Sequence, residues 1–309
     1  MEINGSTIIT LGVHDGRFHA DDVLCAAILQ HLHVIGAIGG LEIVRTRDPE
    51  KLMQCNVVCD VGKEDIDTYT RLCVDHHPKD HNEILETYPN GVKMAACGKL
   101  FRALNQIEGL FDLNEIGYEY LLNHLLYPVE AQDNGQSDVI TGHNLLNWVD
   151  DFNLAYGESP QLQDIRFKEA VSIAREILKR SLIRAEGAIK IMEVMAHNID
   201  MYSGNGILVL SESLPWTKEV TEYNVNHPDT MIKAVIYKSL TDGYNAQMVP
   251  VELGSKITIC QFPSEWCGHK DKELTQISGI AGGIFCYAGY LSGWDTLEAA
   301  IEAARKAIG

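Results

Sequence analysis

Apolar positions come in short runs before they come at helical spacing. Ser6 to Val13, with Thr7, Ile8, Ile9, Thr10 and Leu11, reads as a strand, and a polar stretch from His14 to Asp22 follows it. Val23, Leu24, Ala27, Ile28 and Leu32 then recur every three to four positions, so a helix is expected, with Asp21 or Asp22 as its N-cap. Leu41 to Thr46, Asn56 to Val61 and Leu72 to Val74 read as further strands, and Pro78 forbids continuation of the last. Lys93 to Leu104 and Leu113 to Tyr127 have helical periodicity, and Asn134-Gly135 signals a turn. From Asp164 to His197 the apolar positions Phe167, Val171, Ala174, Leu178, Leu182, Ala185, Ile189 and Met192 keep one helical stripe. A helix of that length spans about 50 Å. It serves either as a core helix or as a connector between domains, and we read it as the connector. After Gly206 the pattern becomes short strands, at Ile207–Leu210, Met231–Tyr237, Ala246–Val251 and Gly282–Tyr287, closed by a helix from Thr296 to Ala307. The expectation is an α/β protein: a mainly parallel sheet in residues 1–160, a connecting helix over 161–198, and a smaller α+β domain over 199–309.

The chain has 309 residues, 46% hydrophobic and 22% charged, which is ordinary for a globular protein. The formal charge of −18 argues against a broad non-specific duplex-binding surface and favours short anionic substrates over long ones. A local pocket whose sign is set by bound cations remains compatible with it. The eight cysteines show no CxxC pair or zinc-finger spacing, so they read as reduced, mostly buried thiols of a cytoplasmic protein. No apolar run approaches the roughly 20 residues needed to span a bilayer.

Potential ligands gather where the apolar runs end. His14, Asp15, His19, Asp21 and Asp22 crowd one loop, and neutral imidazoles with carboxylates suit Mn²⁺ better than Zn²⁺. The alternative is a solvated loop whose carboxylates cap the helix. Asp60 ends the third strand, where on its own it is more often a turn residue. Asp75-His76-His77 ends the fourth. Neighbouring residues on an extended backbone point in opposite directions, so one histidine can bind metal while the other meets substrate. Asp133 precedes the Asn134-Gly135 turn. Four such clusters after apolar segments suggest convergence on one site at the carboxyl ends of the strands, where open α/β sheets keep their ligands.

The ordered set is more specific than its parts. It comprises His14-x-Gly16-x-Phe18-His19-x-Asp21, Glu42 to Leu52, Asp60-Val61-Gly62, Asp75-His76-His77, Asp133-Asn134-Gly135, Pro215-Trp216 and Ser278-Gly279-Ile280-x-Gly282-x-Ile284-Phe285. In that order, over nearly the whole chain, it resembles the DHH phosphoesterase superfamily and within it the MYG family of nucleases. The resemblance implies a DHH-type N-terminal domain and two divalent cations, Mn²⁺ or Mg²⁺. It implies metal ligands at His14, His19, Asp21, Asp60, His76 and Asp133, with Asp60 bridging. It also implies that His77 contacts the scissile phosphate and that Asp75 orients a histidine. Two cations about 3.5–4 Å apart need an anionic bridge against their repulsion, which a carboxylate provides and an imidazole does not. Gly282, Gly283, Tyr287 and Arg45 are the candidate substrate contacts, and Trp216 is either a base-stacking surface or core. The chain departs from the family pattern at Asp22, where glutamate is usual. It departs again at Tyr287, where the family has histidine, and at Gly289 and Tyr290, where it has Ser and Gly.

The expected function is therefore metal-dependent phosphodiester hydrolysis in an interdomain cleft, as 3′–5′ exonucleolysis of RNA or short oligonucleotides. The protein is expected to be cytoplasmic, free of membrane partners and capable of homo-oligomerising. The alternatives are a phosphatase or phosphodiesterase acting on nucleotides or pyrophosphate, and a non-catalytic nucleotide-sensing module.

Overall fold

The computed structural model describes residues 3–61, 71–75, 86–136 and 145–309, with side chains omitted at 145–147. These residues fall into two units, Met1–Ala188 and Ile189–Gly309.

In the first unit β1 (Ile8–Val13) leads into α1 (Ala20–Val34), β2 (Gly40–Arg45), the short α2 (Pro49–Leu52), β3 (Val57–Cys59) and β4 (Leu72–Val74). The four strands form one parallel sheet in the order β2-β1-β3-β4. Parallel neighbours need crossovers, and α1 supplies the first. Its residues are buried almost all round, from Val23 to Leu29, as expected of a helix that packs on both a sheet and other helices. The chain leaves β1 toward β2 on one side and returns to β3 on the other. The β1–β3 boundary is thus the switch point at which such sheets open a crevice.

The helices α3 (Ala96–Asn105), α4 (Glu115–Leu121), α5 (Tyr127–Asp133) and α6 (Leu145–Asp151) complete this unit together with the first part of α7 (Gln163–Asp200). The periodic stretch 113–127 is not one α-helix. A π-helical turn, Leu122–Leu126, separates α4 from α5, and Pro128 lies in the first turn of α5. Proline has no N–H to donate, so the widened turn accommodates it where a continuous α-helix would lose a bond. Helix α7 runs unbroken through Gly187 and contains the boundary between the units.

The second unit continues with β5 (Ile207–Val209), α8 (Thr217–Asn226), β6 (Ala234–Lys238), β7 (Tyr244–Met248), α9 (Asp271–Ser278), β8 (Gly283–Tyr287), β9 (Leu291–Trp294) and α10 (Leu297–Ile308). Its sheet runs β5-β6-β7-β9-β8, antiparallel except for the first pair. The Ala299, Ala300, Ala303 and Ala304 face of α10 is buried with Ile236, Ala246 and Trp294, and Thr296 caps that helix by accepting from the Ala299 N–H at 3.2 Å. Trp216 is core, buried with Met195, Leu208 and Val235, which removes it as a base-stacking surface. No helix among the described residues is long and apolar enough to cross a membrane.

Candidate metal centre

The loop after β1 is fixed from beneath. Phe18 is fully buried, edge-on to Phe167 at 5.4 Å. Asn153 clamps its backbone, accepting from the Phe18 N–H at 3.0 Å and donating to its carbonyl at 2.9 Å. Arg45 donates to the Gly16 carbonyl at 2.6 Å and to Asp164 at 2.9 Å, and its guanidinium lies over the rings of Phe18 and Phe167. Its side chain is only 4% exposed. In this arrangement Arg45 supports the loop.

Held this way, His14 and His19 stand at opposite ends of the loop with ring centroids 5.4 Å apart. Helix α1 begins at His19 and not at Asp21 or Asp22: His19 is the N-cap, and Asp22, at the third helical position, accepts from the His19 N–H at 2.8 Å. The cap expected from Asp21 fails because its carboxylate has another task. Asp21 accepts from the Ala96 and Cys97 N–H groups at 3.1 and 2.7 Å, capping α3 from a distance. Glu130 completes this cap by accepting from the Ala95 N–H at 2.9 Å. It lies one turn before Asp133, so α5 holds α3 with one carboxylate and offers the other to the site.

Asp60 follows β3 with a φ of +56°, a left-handed conformation rare in residues other than glycine. Its N–H donates to the Val74 carbonyl at 3.0 Å, tying the end of β3 to the end of β4. On β4's side the Lys99 ammonium donates to the Asp75 carbonyl at 2.7 Å, and both residues are buried.

Five of the six expected ligands meet here. His14, His19 and Asp60 offer donor atoms all within 4.8 Å of one another, and so do Asp21, Asp60 and Asp133. Asp60 belongs to both sets. The sixth expected ligand, His76, lies outside the described residues, as does His77. Asp75 is buried at the sheet edge next to them.

The electrostatics suit a cation. His14 Nε2 faces Asp60 Oδ2 at 3.4 Å and Asp22 Oδ2 at 3.5 Å. Asp22 Oδ2 is buried and has no hydrogen-bond partner among the described residues. Burial opposes a charge on His14, yet the hydrogen bond to Asp60, the nearby Asp22 and the Asp15 carbonyl together raise its pKa to about 9. Burial pushes Asp22 up to about 7; the Asp60 charge adds to the rise, while His14 opposes it. Without metal, a proton on His14 therefore supplies the positive charge that the carboxylates require. The Nδ1 of His14 lies 3.0 Å from the Asp15 carbonyl. A proton there leaves Nε2 as the ligand atom, the usual arrangement of a metal-binding histidine. Two imidazoles and three carboxylates fit a hard-to-borderline divalent ion. His19 is half exposed, so the centre opens to solvent.

Residues 10–308 match the model of a family described as Uncharacterised protein family (UPF0160), for MYG1 exonucleases. The chain belongs to this MYG family. The MYG1 exonuclease of Mus musculus is 28% identical over 327 residues, covering 96% of this chain and 84% of the relative. The MYG1 protein of Chlamydia trachomatis is 29% identical over 313 residues, with 95% and 94% covered. The MYG1 exonuclease of Homo sapiens is 28% identical, with 96% and 85% covered. A solved structure of RecJ in complex with Mn²⁺ from Thermus thermophilus aligns at a TM-score of 0.26 and 14% identity, with this chain spanning 52% of it. That score is too low to support an argument.

The positions by which the chain resembles the MYG family divide between the units. Gly282, Gly283 and Tyr287 lie in the second, on and beside β8. Gly282 has a φ of +78°, and a Cβ there would meet Asp295 at 3.0 Å; one at Gly283 would meet Leu274 at 2.9 Å. Both glycines are thus required by the close approach of α9 and the β9–α10 junction. Tyr287 is 60% exposed and sets its ring edge-on to Tyr290 at 5.7 Å. Sequence reading missed Glu130 and Lys99. The spacing Glu130-x-x-Asp133 on one helical face was the only signal for the first, and no local pattern marks a lysine that reaches a carbonyl on another element.

Proposed function

We propose that this chain is a divalent-metal-dependent phosphodiesterase that removes nucleotides from RNA or short oligonucleotides in the 3′–5′ direction. The observation that carries the reading is Asp60: one strained carboxylate at the sheet's switch point, common to two sets of donor atoms. Relatives covering nearly all of this chain bear the name exonuclease.

In this reading His14, His19, Asp21, Asp60, His76 and Asp133 would hold two divalent ions, Mn²⁺ foremost, and Asp60 would serve both. Bound ions of this kind activate water and stabilise the attacking and leaving oxygens of an in-line displacement. The chain's own residues do the rest. The Asp15 carbonyl fixes the His14 tautomer. The α3 N-terminus orients Asp21 through two N–H donors. Lys99 and the Asp60 N–H fix the backbone at Asp75 and Val74. His77 donates to a phosphate oxygen as charge builds there, and Asp75 orients its histidine neighbour. The net charge of −18 favours short substrates, because a long polyanion gains little from the surrounding surface.

The test is a ladder of end-labelled oligonucleotides incubated with Mn²⁺, Mg²⁺ or chelator. Mononucleotides released from the 3′ end in the presence of metal alone support the proposal. Release from the 5′ end, or turnover of small phosphate esters only, refutes it.

A further inference from the structure

A cavity of about 500 Å³ lies wholly within the second unit. Its walls include Gln247 of β7, Lys256 and Thr258 of the following loop, Tyr287 at the end of β8 and Tyr290 of the β8–β9 turn. The two tyrosine rings are nearly perpendicular, and Tyr287 is 60% exposed where it lines the pocket. Lys256 is exposed and has no carboxylate partner among the described residues, in a chain of net charge −18. Gln247 accepts from the Tyr237 hydroxyl at 2.7 Å through its amide oxygen, so the orientation of its amide is set, and its NH₂ has no hydrogen-bond partner among the described residues. Thr258 Oγ1 is buried without a hydrogen-bond partner among the described residues. An exposed aromatic ring, an amide, and a hydroxyl and an ammonium that have no partner among the described residues form a composite recognition set. Apolar surface alone would not explain the ammonium, and a phosphate site alone would not need the tyrosines.

We infer that this pocket binds a nucleoside monophosphate group, with the base stacked on Tyr287, the base edge or sugar hydrogen-bonded by Gln247 and Thr258, and the phosphate paired with Lys256. The same group occurs as a free mononucleotide and as the end of an oligonucleotide. Its assignment to substrate rests on the function proposed above; its binding does not.

The experiment is titration calorimetry on the full chain in chelator, so that hydrolysis plays no part. The probes are AMP, adenosine, ribose 5-phosphate and a non-hydrolysable pentanucleotide. AMP should bind more tightly than adenosine or ribose 5-phosphate. Tyr287→Ala should weaken AMP and adenosine alike by about tenfold, and Lys256→Ala should weaken AMP by about fivefold and leave adenosine unchanged. Both side chains are exposed, and an unchanged melting temperature verifies folding. Competition of the pentanucleotide with AMP identifies the group as a strand end, whereas AMP binding without such competition identifies a free-nucleotide site. No AMP binding, or AMP affinity unchanged in both variants, overturns the inference. AMP binding by a protein that fails to degrade oligonucleotides would overturn the nuclease proposal and leave this one standing.

Discussion

His14 Nε2 lies 3.4 Å from Asp60 Oδ2, bringing together the ends of two neighbouring parallel strands, β1 and β3. Hydrogen bonding to Asp60 helps to keep a proton on this imidazole in the absence of metal. The linkage follows from the direction of the shift. The folded pKa, about 9, exceeds the ordinary 6.5. The stabilisation is therefore fully present below pH 6.5 and is lost as pH rises through about 9. Asp22, raised from 3.8 to about 7 chiefly by burial, has the same sign over a lower window. Thermal melts in chelator should show stability falling between pH 6.5 and 9, and His14→Ala should flatten that fall. Mn²⁺ affinity should rise over the same window, because binding displaces the proton. An undiminished slope in His14→Ala would refute the assignment.

Gly98 allows α3 to meet α5. A Cβ there would stand 2.0 Å from Glu130 Oε1 and 2.6 Å from the Tyr88 hydroxyl. Gly98→Ala should cost about 1–3 kcal/mol through overpacking, and it should weaken Mn²⁺ binding because the same helix end orients Asp21. Denaturant melts and calorimetry check both effects.

Arg45 offers a sharper choice between support and substrate contact. Arg45→Lys keeps the charge but loses the planar fork that spans the Gly16 carbonyl, Asp164 and two rings. Stability should fall by about 1–2 kcal/mol, with KM for a short oligonucleotide nearly unchanged below the melting temperature. A large rise in KM without loss of stability would make Arg45 a substrate contact.

The adjacent histidines should separate by role. His76→Ala should lose metal, whereas His77→Ala should retain metal and lose rate by about 100-fold or more, since removing one transition-state donor has that size of effect. Metal content after gel filtration, read beside the hydrolysis rate, distinguishes them. Reversal of the two phenotypes would exchange the roles.

Much of the site was legible because polar residues stood where apolar runs stopped. His14, Asp60 and Asp75 could be placed at strand ends from periodicity alone, and the parallel sheet brings those ends together. What stayed hidden depended on contacts across the chain. Asp21 reads as a cap of its own helix, yet it caps α3, some 75 positions away. Arg45 reads as a substrate contact, yet two aromatic rings and the Gly16 carbonyl enclose it. Strand β9 was not predicted, since Leu291-Ser292-Gly293-Trp294 is too short and too mixed to announce itself. The left-handed backbone at Asp60 has no sequence signature either, because aspartate adopts it only where neighbouring elements compel it.

The central claim is that Asp60 is shared by two cations, and Asp60→Asn tests it most directly. Asparagine preserves the side-chain volume and tolerates the +56° φ that would strain alanine, but it removes the bridging charge. The measurement is Mn²⁺ stoichiometry by calorimetry, read beside oligonucleotide hydrolysis on the same preparation. The account predicts about two ions per wild-type chain, at least one lost in Asp60→Asn, and hydrolysis reduced by about 100-fold or more with the fold intact. Wild-type stoichiometry and wild-type hydrolysis in Asp60→Asn would contradict it.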